Sequence, residues 1–186
     1  MLDNFFRITK FIPKLCVESV YDINFNTLYD AGKRIILLDL DNTLISYDVS
    51  YADEKLKSLL NNIKDLGFKL MVISNNKHER ISNFCNDVKI EYVTSARKPF
   101  KKGFKIALKR LNCTNKKEVV SIGDQLMTDI LGSNRMGFDS ILVRPLKKST
   151  EKWYTRMNRK MEKHVLKRLK KYNEEIYKEI EAKHEN

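Results

Sequence analysis

Short apolar runs alternate with amphipathic segments through the middle of the chain. Runs such as "RIILLDL" and "FKLMVISNN" are almost wholly apolar, which is typical of strands that are buried on both faces. The segments between them repeat apolar residues at helical spacing, and "ADEKLKSLLNNIKDLG" predicts a helix that ends at its glycine. Five such strands, the last stopped by Pro145, alternate with helices. This order predicts an α/β, Rossmann-like three-layer sandwich with a five-stranded parallel sheet.

Two segments of different composition flank this pattern, so we predict three units: residues 1–34, 35–146 and 147–186. The first unit is an aromatic and basic flank. Its apolar residues recur at helical spacing beside basic ones: Leu2, Phe5, Phe6, Arg7, Lys10 and Lys14. The last unit is a basic helical tail with apolar residues at four-residue steps: Trp153, Met157, Met161, Val165 and Leu169. Each flank fits either packing on the core or contact with a membrane interface. The tail also fits packing against a second subunit.

The charge balance favours anionic partners. Lysine and arginine total 36 against 24 aspartate and glutamate residues, a net charge of +12, which suits phosphorylated substrates, nucleic acid or an anionic membrane. Three widely spaced cysteines without a CxxC pair argue against a disulfide framework or a structural zinc site. The chain shows neither a signal peptide nor a membrane-spanning run. We therefore expect a cytoplasmic protein, with the inner face of the membrane as the alternative location that the basic tail leaves open.

Polar and charged side chains follow the ends of four predicted strands. In a parallel sheet these ends meet at one edge, where ligands bind. The rule brings together the following residues: Asp39, Asp41 and Thr43 after the first strand, Ser74 and Asn75 after the second, Lys98 after the third, Asp124 after the fourth, and Asp129 about one helical turn later. One Asp-x-Asp pair alone would be weak support for a site. Matched groups at four successive strand ends predict a catalytic centre.

The chemistry of these groups suits phosphoryl transfer. Asp39 and Asp124, from different strands, can share Mg²⁺, a hard cation that prefers oxygen ligands. Asp39 is then the candidate nucleophile, and Asp41 is the candidate acid and base that protonates the leaving oxygen and later activates water. Lys98 would neutralise the transferring group together with the cation. Ser74 would hold phosphate oxygens, and Thr43 and Asn75 are the further substrate-binding candidates.

The motifs "DLDNTL", "ISNN", "KP" and "GDQLMTD" together resemble the four motifs of the haloacid dehalogenase (HAD) superfamily of phosphatases. The longer stretches "ISNNKHER", "GDQLMTDILGSNRMG" and "WYTRMNRKME" are similar to its subclass IIIA members of the YqeG type, which are related to mitochondrial phosphatidylglycerophosphate phosphatases. The resemblance covers about residues 1–171. It implies Mg²⁺ held by Asp39, Asp124 and a backbone carbonyl of Asp41, and it implies that Asp129 supports the metal shell or Lys98.

Simpler interpretations exist for the individual residues. Asp39 and Asp41 could belong to an ordinary turn, and Asp124 could merely cap a helix. Lys101 and Lys102 lie close enough in sequence to replace Lys98. An EF-hand loop is excluded because leucine and serine stand where that loop needs glycine and glutamate.

The gaps between the motifs are too short for an inserted cap domain. We therefore expect an open site that accepts a phosphate carried by a large molecule, and the resemblance favours phosphatidylglycerophosphate, with phosphatidylglycerol as product. Two alternatives remain. One is a phosphatase for nucleic-acid ends or another soluble phosphoester. The other is a basic RNA- or ribosome-binding protein without catalysis, which predicts salt-sensitive RNA binding.

Overall fold

The computed structural model describes residues 7–185, apart from the side chains of His78 and Glu185. Leu2, Phe5 and Phe6, three residues of the predicted N-terminal stripe, lie outside this range. The described part confirms the predicted α/β class, with a sheet whose strands all run parallel. The strands are β1 (Leu15–Val17), β2 (Ile35–Leu38), β3 (Lys69–Ile73), β4 (Glu91–Val93), β5 (Val119–Gly123) and β6 (Asp139–Val143).

The helices connect successive strands and then form the C-terminal segment. They are α1 (Phe25–Asp30), α2 (Glu54–Asp65), α3 (His78–Asp87), α4 (Lys101–Arg110), α5 (Leu131–Met136), α6 (Trp153–Tyr172) and α7 (Glu174–Ile180). A π-helical turn, Leu126–Ile130, precedes α5. Local signals explain the ends of several helices. Asp53 caps α2 by accepting a hydrogen bond from the Leu56 N–H at 2.7 Å, and Gly137, with φ of 82°, ends α5.

The sheet has six strands in the described residues, in the order β1-β6-β5-β2-β3-β4, so the predicted number of five was wrong by one. The additional strand, β1, comes from the N-terminal flank and pairs with β6 at the edge, with Cys16 opposite Leu142. Three residues are too few to show an apolar period, and for this reason the sequence pattern did not indicate the strand.

The strand β2 is central and buried on both faces. Alternate residues of β2 and its neighbours enter different apolar clusters. One cluster contains Ile36, Leu38, Val72, Val120 and Ile122, and the other contains Ile35, Leu37, Met71, Ile73 and Val119. This period of two is the pattern that a sheet covered on both sides requires. It fixes the register of β2 and therefore the position of the residues that follow it.

The two flanks pack on the core. A third apolar cluster joins Phe11 and Cys16 from the N-terminal flank to Leu126 and Leu142 of the core and to Leu169 of α6. The division into three units stays a prediction. The helix α6 packs on the core through three buried apolar residues, Val165, Leu166 and Leu169. Within residues 7–185, no helix combines the length and apolar content needed to cross a bilayer.

Candidate active site

The predicted site residues converge at the carboxyl edge of the sheet. Asp39 continues the line of β2, since its N–H donates to the carbonyl of Ile122 at 2.9 Å. Lys98 follows β4, Asp124 directly follows β5, and Asp129 lies in the Leu126–Ile130 turn. The four side chains are buried.

Three carboxylates and one ammonium group form the centre of the site. One carboxylate oxygen from each of Asp39, Asp124 and Asp129 lies within 4.8 Å of the others. The Nζ of Lys98 donates to Asp39 Oδ1 and to Asp129 Oδ1, each at 2.6 Å. Lys101, the alternative lysine, is exposed at the start of α4, as is its neighbour Lys102. Lys98 is therefore the lysine that the fold brings to the carboxylates.

A glycine permits this close approach. A Cβ added at Gly123 would lie 2.4 Å from the Cγ of Asp129, closer than any side chain allows. The pair "GD" at the end of β5 thus has two roles. Gly123 leaves room for one carboxylate, and Asp124 supplies another.

Burial dominates the electrostatics of the cluster. It raises the pKa of Asp39 well above its usual range, against the opposing effect of Lys98. Burial likewise raises the pKa of Asp124 to about 7, although Arg159 acts to lower it. For Lys98, burial alone would lower the pKa, but Asp129 and Asp39 raise it above the ordinary value. Negative charge on Asp39 and Asp124 is therefore unfavourable with the neighbouring cations alone, and such an oxygen-rich set fits a hard divalent cation.

Asp41 is held firmly in place. Its Oδ2 accepts a hydrogen bond from Asn76 Nδ2 at 2.5 Å, and its Oδ1 accepts one from Arg80 Nε at 2.9 Å. Arg80 also donates to the backbone carbonyls of Ser46, at 2.7 Å, and Val49. One guanidinium group thus fixes both Asp41 and the loop that follows β2. The Asp41 carboxylate is separate from the three-carboxylate cluster.

The predicted substrate-binding residues occupy different positions. Thr43 Oγ1 lies between two carboxylates, 3.4 Å from Asp39 Oδ2 and 3.3 Å from Asp124 Oδ1. Ser74 Oγ accepts the Asn76 N–H at 3.1 Å. Asn75 exchanges two hydrogen bonds with the backbone of Lys98, at 2.6 and 3.0 Å. Ser74 and Asn75 line a pocket together with Asp39, whereas Thr43 is not one of its lining residues and links Asp39 to Asp124.

This pocket is small, with a cavity volume of about 30 Å³, and it opens at the carboxyl edge of the sheet. The core contributes Asp39, Asp41, Tyr47, Ser74, Asn75, Asn76, Lys98, Gln125 and Thr128 to its lining. The remaining lining residues, Tyr154, Thr155 and Asn158, come from α6. The pocket therefore lies between the strand ends and the C-terminal helix.

The position of α6 corrects the expectation of an open site. The short gaps between motifs do exclude an inserted cap within the described residues, but α6 covers one side of the pocket from outside these gaps. Tyr47 and Thr155 share a hydrogen bond at 3.1 Å, and Asn158 Nδ2 donates to Gln125 Oε1 at 3.0 Å. These contacts depend on tertiary packing, which motif spacing does not record.

Arg159 connects α6 to the acidic cluster. Its guanidinium donates to the carboxylate of Asp124 and, at 2.8 Å, to the backbone carbonyl of the same residue. It also forms ion pairs with Glu151 at 2.8 Å and with Glu162 at 3.0 Å. Glu162 in turn accepts the Met127 N–H at 3.2 Å. One arginine thus bridges three buried acids, and one of them is a carboxylate of the cluster.

The sequence placed Asn76 at the end of the second strand, but it gave no role to the other residues that hold the site groups in position: Arg80, Glu151, Arg159 and Glu162. A signal was present in α6. Glu162 falls on the same helical face as Val165, Leu166 and Leu169, so an acid interrupts a buried apolar stripe. Such an acid usually needs a cationic partner. The high number of basic residues in this segment hid the partner, Arg159.

Comparisons with known proteins place the chain among HAD-like hydrolases. The HAD-hydrolase-like family model matches residues 95–171. The chain is 36% identical to the probable phosphatase YqeG of Bacillus subtilis (strain 168) over 161 residues, which cover 87% of this chain and 92% of that protein. It is 26% identical over 166 residues to phosphatidylglycerophosphate phosphatase 1, chloroplastic/mitochondrial, of Arabidopsis thaliana. That match covers 84% of this chain and 47% of the plant protein, so the chain spans about half of its length.

A solved structure has a similar fold. The crystal structure of an uncharacterized protein from Listeria monocytogenes serotype 4b matches with a TM-score of 0.50 and 22% sequence identity, covering 62% of this chain and 83% of that chain. The Bacillus subtilis relative, together with the strand-end motifs, shows the family. The chain belongs to the YqeG-type family of HAD-superfamily phosphatases.

Proposed function

We propose that this phosphatase hydrolyses phosphatidylglycerophosphate to phosphatidylglycerol through a phosphoryl group carried on Asp39, with Mg²⁺ as cofactor. One observation carries the catalytic part of the proposal. A buried carboxylate lies in the lining of a small pocket, paired with a buried lysine and next to a second, firmly held aspartate. This arrangement supplies a nucleophile, a charge-neutralising group and an acid–base group within one site.

Two steps follow from these residues. A carboxylate oxygen of Asp39 attacks phosphorus, the bond from phosphorus to the leaving oxygen breaks, and Asp41 gives that oxygen its proton. Asp41 then takes a proton from water as the water oxygen attacks phosphorus, and the bond to Asp39 breaks to release inorganic phosphate. Asn76 and Arg80 hold Asp41 in place for both proton transfers. Lys98 offsets the charge on the phosphoryl oxygens.

The buried carboxylates suit Mg²⁺. Asp39, Asp124 and Asp129 would hold the ion, with the backbone carbonyl of Asp41 as a further candidate ligand. When bound, it would supply positive charge that offsets both the clustered carboxylates and the substrate phosphate. Thr43 links two of these carboxylates and would keep their spacing.

The lipid substrate rests on the plant relative's name and on the surface of α6. Trp153, Met157 and Met161 recur at four-residue steps and are 75%, 50% and 42% exposed. Residues 147–171 carry eleven basic residues and two glutamates. An exposed apolar stripe among basic side chains suits an anionic membrane surface, where such a lipid resides. We therefore propose peripheral contact with the membrane through α6.

Phosphate release from phosphatidylglycerophosphate in mixed micelles tests the catalytic proposal. We expect release with Mg²⁺ and a loss of at least about 100-fold with EDTA, because the cation would neutralise charge in the transition state. Release only from a phosphorylated oligonucleotide or a sugar phosphate would support the phosphatase mechanism and reject the lipid as the substrate. If no substrate releases phosphate and the protein shows salt-sensitive RNA binding that survives Asp39→Asn, the result would instead favour a binding protein.

Tryptophan fluorescence tests membrane contact, because Trp153 is the single tryptophan. We expect its emission to shift to the blue with vesicles of phosphatidylglycerol and to stay unchanged with phosphatidylcholine. The double variant Met157→Ser and Met161→Ser should weaken vesicle binding about tenfold, since less apolar surface is buried. Tyr51→Ser, which alters an exposed aromatic residue outside α6, is the matched control. Equal weakening by both variants would count against docking through α6.

A further inference from the structure

The wall that α6 contributes to the pocket differs chemically from the floor. Asp39, Ser74 and Lys98 line the pocket from the strand ends, where the phosphoryl group would be transferred. From α6, the phenol of Tyr154 and the amide of Asn158 line the same pocket. These groups donate and accept hydrogen bonds without charge. They suit a hydroxylated leaving group better than an apolar one.

A lysine stands beside this wall. The Nζ of Lys152 donates to Asn76 Oδ1 at 3.2 Å, so its ammonium group directly contacts a lining residue. It also lies 5.8 Å from the ring centroid of Tyr47 and 6.0 Å from that of Tyr154, both of which line the pocket. Lys152 is exposed, whereas Lys98 is buried. The site thus has two ammonium groups, one inside among the carboxylates and one outside at the rim.

We propose that α6 recognises the leaving group, and that Lys152 selects substrates whose leaving group carries a second anionic group. The inference rests on the proposed function and deepens it. Lys98 serves the phosphoryl group that is transferred, so the rim ammonium remains for an anion farther along the substrate. In phosphatidylglycerophosphate this anion is the phosphodiester, which a glycerol unit separates from the terminal phosphate. The hydroxyl of that glycerol unit would face Tyr154 and Asn158.

Replacing Lys152 tests substrate specificity with less effect on the acid–base group than replacing its neighbour Tyr154. Tyr154 donates to the same Asn76 oxygen at 2.5 Å, and Asn76 holds Asp41. Replacing Tyr154 would therefore disturb the acid–base group on every substrate. The Lys152 ammonium donates to the side-chain oxygen of Asn76 and lies 6.0 Å from the Tyr154 ring centroid. Its loss therefore leaves the hydrogen bonds that Asn76 makes with Asp41 and with Tyr154 in place.

The experiment compares Lys152→Ala with wild type on two substrate pairs in which one member lacks the second anion. The lipid pair is phosphatidylglycerophosphate and phosphatidic acid, and the soluble pair is 3-phosphoglycerate and glycerol 3-phosphate. For the member that carries the second anion we expect kcat/KM to fall about fivefold, mainly through KM, as a partly exposed ion pair allows. For the member that lacks it we expect a change of less than about twofold. Lys105→Ala, which alters an exposed lysine of α4 outside residues 147–171, is the control.

The outcomes separate this inference from the proposed substrate. If the enzyme turns over the soluble pair but not the lipid pair, the lipid is rejected as the substrate. The soluble pair would still test whether Lys152 selects for a second anion. An equal loss on both members of a pair, or no loss on either, would overturn the inference. Calorimetric binding of the soluble pair to Asp39→Asn, with and without Lys152→Ala, gives the same comparison without turnover. A preference for the ligand with the second anion that survives Lys152→Ala would also overturn it.

Discussion

Replacing Asp39 with asparagine is expected to reduce phosphate release by at least about 10⁴-fold, because the amide cannot accept the phosphoryl group. The change keeps the shape of the side chain, so the pocket should persist. Acid-quenched wild type should carry a hydroxylamine-sensitive phosphoryl group during turnover, and Asp39→Asn should carry none. Asp65→Asn, which alters an exposed aspartate at the end of α2, should behave as wild type in both assays.

The same variant should fold. Burial raises the pKa of Asp39, which means that its ionised form is unfavourable in the metal-free protein. Asparagine cannot ionise, so the variant avoids this unfavourable charge, and Lys98 keeps its ion pair with Asp129. We expect thermal unfolding of Asp39→Asn in EDTA at a temperature equal to or above that of wild type. Retained hydrolysis in this folded variant would rule out Asp39 as the nucleophile.

Replacing Arg159 with methionine is expected to lower the free energy of unfolding by about 3–5 kcal/mol at neutral pH, since it leaves buried acids without their cation. The affected carboxylates are almost fully inaccessible: the side chains of Asp124, Glu151 and Glu162 are 0%, 3% and 2% exposed. Phosphatase activity should fall about 10- to 100-fold in protein that remains folded, because Asp124 loses its orienting partner. Urea denaturation in EDTA measures the first effect, and saturation kinetics with Mg²⁺ measure the second.

The stability loss should depend on pH in a defined direction. In the folded protein burial raises the pKa of Asp124 to about 7 from an ordinary value of 3.8, and Arg159 opposes the rise. The ionised form therefore destabilises the fold as pH increases through this interval, and it does so more strongly without the arginine. We expect the difference between Arg159→Met and wild type to be larger at pH 7.5 than at pH 5.5.

Two further variants serve as controls for the Arg159→Met experiment. Arg156→Met replaces an exposed arginine on the same helix and should alter stability by less than about 0.5 kcal/mol. Arg159→Lys should recover part of the loss, because an ammonium group restores charge without the bidentate geometry. If Arg159→Met lowers the free energy of unfolding by no more than Arg156→Met does, the buried ion-pair network contributes little to stability.

The alternation of apolar runs and amphipathic segments was sufficient to predict the parallel sheet, because strands buried on both faces leave a strong local pattern. The meeting of Asp39, Lys98 and Asp124 also followed from sequence, since topology alone brings the carboxyl ends of parallel strands together. Both predictions depend on short-range periodicity combined with one general rule of sheet geometry.

The remaining parts of the site depend on where distant segments dock. Arg159 forms its ion pairs only because α6 packs across the strand ends, and a run of eleven basic residues gives no indication of which one turns inward. Tyr154 reaches Asn76 for the same reason. The edge strand β1 was also missed, because pairing with β6 places only Cys16 and Val17 in the core.

The contact between Arg159 and Asp124 joins residues 35 positions apart, and Asp39 precedes Arg159 by 120 positions. During synthesis on the ribosome, the strands that carry the acids emerge well before the helix that neutralises one of them. Until α6 emerges, Asp124 lacks its arginine and is better solvated by water than buried. The acidic end of the sheet should therefore be among the last regions of a nascent chain to close, so a chain that stalls before α6 would leave it open.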